Sequence, residues 1–111
     1  MLQSTNSINV VSLSPAQASE FLKYRYIHDR PLRPWYVDLL VKEMQAGRFQ
    51  HTAEVHMAYV NGQPSMINGK HTCSAIVKFG RSVNVTLRKT YTTEPGQLSA
   101  LYALGHDNQL R

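Results

Sequence analysis

Apolar and polar positions alternate along residues 7–13, where Ile8, Val10, Val11 and Leu13 stand among serine and asparagine, and this β-branched pattern predicts a strand. Helical signals follow at once. Ser14 is a capping residue, Pro15 suits a first helical turn and Gln17 completes a capping box, so a helix is predicted over residues 16–24. Residues 25–32 read as a connecting loop. Pro34 then opens a second helix, in which Val37, Leu40, Val41 and Met44 recur at helical spacing until Gly47 stops it. Asn61-Gly62, a pair suited to positive φ at both central turn positions, lies between residues 55–60 and 65–68 and predicts a β-hairpin.

Gly69 ends that hairpin, and a third helix is predicted from about Lys70, with Ala75, Ile76 and Phe79 turned inward and Gly80 as its stop. Val83, Val85 and Leu87 alternate in a further strand. Thr92 or Thr93, followed by Pro95, starts a last helix through Leu98, Leu101, Tyr102 and Leu104. This order implies an α+β fold, a mixed sheet with a β-hairpin and about four helices. No repeat, linker or low-complexity run divides the chain, so residues 1–111 are expected to form a single domain, with residues 1–6 as a loose polar lead-in.

Composition adds a partner class to this picture. The 111 residues are 42% hydrophobic and 17% charged, the range of a chain that buries one core. Twelve Lys and Arg against seven Asp and Glu leave a net charge of +5, which favours polyanionic partners without identifying them. The cations fall in two stretches, Lys23, Arg25, Arg30 and Arg33 in one and Arg81, Arg88 and Lys89 in the other. Arg25, Arg33, Arg81, Arg88 and Lys89 are therefore the candidate nucleic-acid contacts. No apolar run approaches the roughly 20 residues that span a bilayer, and no secretion signal is evident at the start. The lone Cys73 forms no internal disulfide, and a cytoplasmic setting without a membrane partner is expected.

The chemistry centres on Asn68-Gly69-Lys70-His71-Thr72, where a strand passes through a glycine directly into a helix. The first backbone N–H groups of a helix lack internal partners and sit at the positive end of its dipole, so such a turn suits a phosphate. Gly69 lets the backbone approach, Lys70 adds a mobile positive charge, and His71 and Thr72 offer further hydrogen bonds. The alternative is that Gly69 merely turns the chain and the polar side chains are solvated.

Arg30-Pro31-Leu32, the helix end Met44-Gln45-Ala46-Gly47-Arg48-Phe49 and the run from Met66 through Gly69, Lys70, His71 and Thr72 to Ile76 together resemble the N-terminal ParB-like domain. The likeness is to phage and prophage members of the ParB/sulfiredoxin superfold, over roughly residues 27–111, with the turn as its most specific element. It implies a compact ParB/sulfiredoxin-like fold, a DNA-associated role and a nucleoside triphosphate with Mg²⁺ as cofactor. Gly69, Lys70, His71 and Thr72 would then contact phosphate, with Arg30 near the same pocket. Relatives carry Arg where this chain has Thr72, and an acidic or amide residue where it has Lys70. Sulfiredoxin's nucleophilic cysteine also falls at Lys70, so the likeness does not extend to its thiol chemistry.

Other constellations are weaker. The five histidines have no zinc spacing, no nucleophile elbow is present, and no metal site is expected. Glu54 and Asp107 are the only acids considered as a base or ligand, and surface placement suits each better. Tyr24, Trp35 and Tyr36 lie among arginines and could stack on bases, although a core anchor beside Pro34 is the preferred role for Trp35. Three functions stay open. One is a nucleotide- or nucleic-acid-binding domain holding a phosphate at the turn. The second is an NTPase, phosphotransferase or nuclease of the same fold, with His71 as acid or base. The third is a catalytically silent phage protein that binds a host protein in the bacterial cytoplasm. The scarcity of carboxylates favours binding over catalysis.

Overall fold

The computed structural model describes residues 4–26, 29–50 and 54–109, and the side chains of residue 4 and of residues 104–109 lie outside that description. Eight elements follow in the order β1 (Ser4–Leu13), α1 (Pro15–Leu22), α2 (Pro34–Gln45), β2 (Glu54–Val60), β3 (Gln63–Asn68), α3 (Lys70–Phe79), β4 (Val83–Thr92) and α4 (Gln97–Gln109). The four strands make one mixed sheet ordered β1-β4-β2-β3, with β4 antiparallel to β1 and parallel to β2. The α+β class and the mixed sheet expected from the pattern are present. The expected loose lead-in over residues 1–6 is overturned for Ser4, Thr5 and Asn6, which pair with Thr92, Tyr91 and Thr90, and residues 1–3 lie outside the described residues. Polar side chains did not prevent strand formation there, since the ladder bonds come from the backbone.

Period-two alternation gives the sheet two unlike faces. Leu13, Val55, Met57, Met66, Val85 and Leu87 face the helices and join Ala18, Val37, Val41, Met44, Cys73, Ala75 and Ile76 in one core. Both α1 and α2 pack on α3, while α4 lies against β3. The opposite face is largely polar: Thr90 Oγ1 donates to Asn6 Oδ1 (2.6 Å) and meets His56 Nε2 at 2.8 Å, a stitch across β1, β4 and β2. Since the threonine proton goes to Asn6, His56 is the donor in its pair, neutral and protonated at Nε2.

The local devices are those written in the sequence. Ser14 Oγ accepts from the Gln17 backbone and the Gln17 side chain accepts from the Ser14 backbone, closing the capping box of α1. Asn61 and Gly62 hold φ of 49° and 83°, the two positive angles of a tight hairpin turn. The last helix starts at Gln97 rather than directly after Thr93. The Thr92 hydroxyl instead accepts from the Glu94 backbone and sets a turn, and β4 runs on to Thr92.

Candidate functional site

The β3–α3 turn is built around a glycine whose place any side chain would strain. Gly69 has φ of 112°, and a Cβ there would meet the Val55 backbone at 3.0 Å and its side chain at 3.1 Å. Just upstream, His56 pairs with Asn68 and Met57 with Met66, leaving Ile67 as the extra residue of a β-bulge. A bulge bends its strand, so the chain is re-aimed toward α3 immediately before the glycine. The first helical bond runs from Cys73 N–H to the Gly69 carbonyl, and Gly69, as the N-cap residue, supplies no side-chain cap.

Lys70 departs from the role of a mobile cation. Its side chain is 7% exposed and its ammonium donates to Asp29 Oδ1 at 2.9 Å. Asp29, equally buried, gathers four donors: Lys70, the Tyr102 hydroxyl at 2.5 Å and the Arg30 backbone N–H at 2.8 Å on one oxygen, and Arg25 Nε at 3.1 Å on the other. Burial alone would raise its carboxyl, but the hydrogen bonds from Tyr102 and Lys70 and the lysine's charge outweigh it and hold the group below its ordinary value. Burial and the bond to Asp29 push the Tyr102 hydroxyl up to about 12. The network clips α4, the start of α3 and the segment after Tyr26 together. Tyr26 extends it, its ring tilted at 38° to that of Tyr102 with centroids 4.7 Å apart and its hydroxyl 3.2 Å from that of Ser99.

His71 fixes the other end of that segment. Its Nε2 accepts from the Arg33 backbone N–H at 2.9 Å, so the ring is neutral and protonated at Nδ1. Burial, then the charges of Lys70 and Arg33, lower it to about 4. The edge of Tyr36 meets the ring at 5.1 Å, and Trp35 lies 5.6 Å from Tyr36. Trp35 is 64% exposed, which overturns the expected core anchor. Leading α2 just after Pro34, its indole projects from the helix start, while Val37, Val41 and Met44 form the inward stripe.

The structure therefore brings Arg25, Arg30, Arg33, Trp35, Tyr36 and His71 to one rim beside the start of α3, while the Tyr24 hydroxyl is held by Glu20 of α1. Arg30 and Arg33 are exposed there, whereas Gly69, Lys70 and Thr72 are buried. The second basic stretch does not form one surface. Strand alternation sends Arg88 to the polar sheet face, where it pairs with Glu54, and Lys89 to the other, 5.9 Å over the Tyr59 ring, while Arg81 is exposed ahead of β4. Cys73 is fully buried, and burial pushes its thiol up to about 12, as fits a packed side chain. Among the described residues no three His, Cys, Asp or Glu side chains group as a metal site. His28 and His51 lie outside the described residues, as do the side chains of His106 and Asp107.

Sequence reasoning missed Asp29 and Tyr102. The available signal was a single acid inside the basic stretch from Arg25 to Arg33, where a carboxylate has several cations within reach. No protein-family model matches the chain, and no curated protein matches it.

Proposed function

We propose that the chain is a binding module for a phosphate-bearing ligand, a nucleotide or a nucleic acid, held at the rim of the α3 start. Arg30 and Arg33 would meet the phosphates and Trp35, backed by Tyr36 and His71, would stack on a base. The observation that carries the reading is the placement of Trp35, largely exposed beside Tyr36 and a histidine bonded to the Arg33 backbone. Trp35 is exposed together with Tyr36 and Leu39 at the start of α2, and an exposed aromatic patch of this kind suits stacking on a base. The likeness to ParB-like domains, with its ParB/sulfiredoxin fold and phage setting, supports the same ligand class. In this reading Lys70 holds the site's frame and does not touch the ligand.

Binding proceeds without turnover. The carboxylate beside the turn, Asp29, has both oxygens occupied by donors, and His71 has its acceptor nitrogen committed to the Arg33 backbone. Neither is poised to take a proton from an attacking water. A cytoplasmic setting accords with the single buried cysteine. A second reading, docking of a protein partner, draws on Leu39, 45% exposed one helical turn beyond Trp35.

Trp35 is the only tryptophan, so its fluorescence reports directly on the proposed site. Titration with ATP, CTP, GTP, a short single strand and a short duplex, with and without Mg²⁺, is expected to quench it and to yield no hydrolysis product. Arg33→Ala and Trp35→Ala should each weaken binding by ~1–3 kcal/mol, the latter read by anisotropy of a labelled oligonucleotide. Absence of affinity for every one of these ligands would sink the reading and leave the protein-partner alternative. Hydrolysis lost in His71→Ala would establish an enzyme instead.

A further inference from the structure

The outer edge of β1 carries none of the features by which strand edges are kept apart. Ten residues long, β1 holds no charged residue and no proline, and its register with β4 runs without a bulge from Ser4↔Thr92 to Leu13↔Val83. It ends the sheet, and no other strand among the described residues pairs with its free side. Ile8 and Val10, 54% and 57% exposed, stand on the face away from the helices. An uncovered row of N–H and C=O groups flanked by exposed β-branched side chains is a template for another strand.

We propose that this edge receives a second copy of the chain, β1 against β1 in antiparallel order about a two-fold axis through Asn9, so that two four-stranded sheets become one. The occupant follows from charge and from symmetry. Two chains of net charge +5 repel, yet β1 itself is neutral, and the nearest cations on β4 are engaged, Arg88 by Glu54 and Lys89 over the Tyr59 ring. An acidic peptide would find nothing there to attract it. A two-fold contact must be self-complementary, and an axis normal to the sheet keeps like faces on the same side. Only pairings between positions of equal parity are then allowed. Centred on Ile8, such a pairing sets Val10 against Asn6, and centred on Val10 it sets Ile8 against Ser12. Centred on Asn9, it sets Ile8 against Val10 twice over and joins the two Asn9 amides on the other face. That register covers the exposed apolar pair with its own kind.

Sedimentation velocity up to about 100 µM tests the association. A dimer is expected, and Ile8→Lys/Val10→Lys should be a monomer with an unchanged circular dichroism spectrum, because both positions are exposed in the single chain. Register is read separately by oxidation. Asn9→Cys should cross-link to its own copy, whereas Ser12→Cys should not, since the two copies of residue 12 would lie ~20 Å apart. A wild-type monomer throughout the range, a dimer indifferent to the lysine pair, or cross-linking of Ser12→Cys equal to that of Asn9→Cys would each overturn the proposal.

Discussion

Gly69 meets two independent demands, a φ of 112° and the Val55 backbone at 3.0 Å from any added Cβ. Gly69→Ala is therefore expected to cost about 2–3 kcal/mol, measurable as a lowered urea midpoint with unchanged slope. His56 makes a pH prediction. Burial, then the charge of Arg88, lowers it to about 4 from an ordinary 6.5, so between those values the unfolded chain takes up a proton that the folded chain refuses. Stability is full above about pH 6.5, declines as pH falls to about 4 and then levels, a loss of at most about 3 kcal/mol for this group. His71, lowered to about 4 as well, adds loss of the same sign. Thermal melts across that window should show the decline, and His56→Gln should flatten part of it. Asp29 acts lower still, because its lowered carboxyl contributes above its ordinary 3.8 and is lost only in stronger acid.

At the scale of the elements, the buried Lys70–Asp29 pair joins α3 to the segment that carries Arg30 and Arg33. Lys70→Met leaves a buried carboxylate short of its ammonium and should cost about 3 kcal/mol, while Asp29→Asn added to it should recover part of that loss in a double-mutant cycle. If Lys70 touched ligand phosphate instead, its loss would weaken binding more than it weakens folding. The elements themselves were legible: the Ser14–Gln17 box, the Asn61-Gly62 turn and the Gly80 helix stop act through neighbours within four residues, and Gly69 marks its helix start by its positive φ, although its packing on Val55 is not local. What was not legible depends on partners far apart in the chain. Asp29 meets Tyr102 across 73 positions and Lys70 across 41, and no local pattern encodes either contact. Trp35 was misread for a related reason, since its place outside the core depends on how α2 rolls against α3. The split of Arg88 from Lys89 could have been read, because strand alternation separates adjacent residues.

For the whole molecule, the net charge of +5 means that the proposed nucleic-acid binding would depend on salt. The logarithm of the binding constant should fall linearly with the logarithm of salt concentration, and Arg33→Ala should reduce that slope by about one if its guanidinium meets a phosphate. Anisotropy titrations at several salt concentrations read both quantities. An unchanged slope would remove Arg33 from the ligand contacts. The sheet order also has a temporal meaning. β1 leaves the ribosome well before β4, its one strand partner among the described residues, since even the nearest pair, Leu13 with Val83, is separated by about 70 residues. At ordinary translation speeds that interval lasts roughly 4–14 s, far longer than a helix or the β2–β3 hairpin needs to form. Throughout it both edges of an uncharged, β-branched strand stand open, so the nascent chain is at its most vulnerable to aggregation before its sheet has a centre.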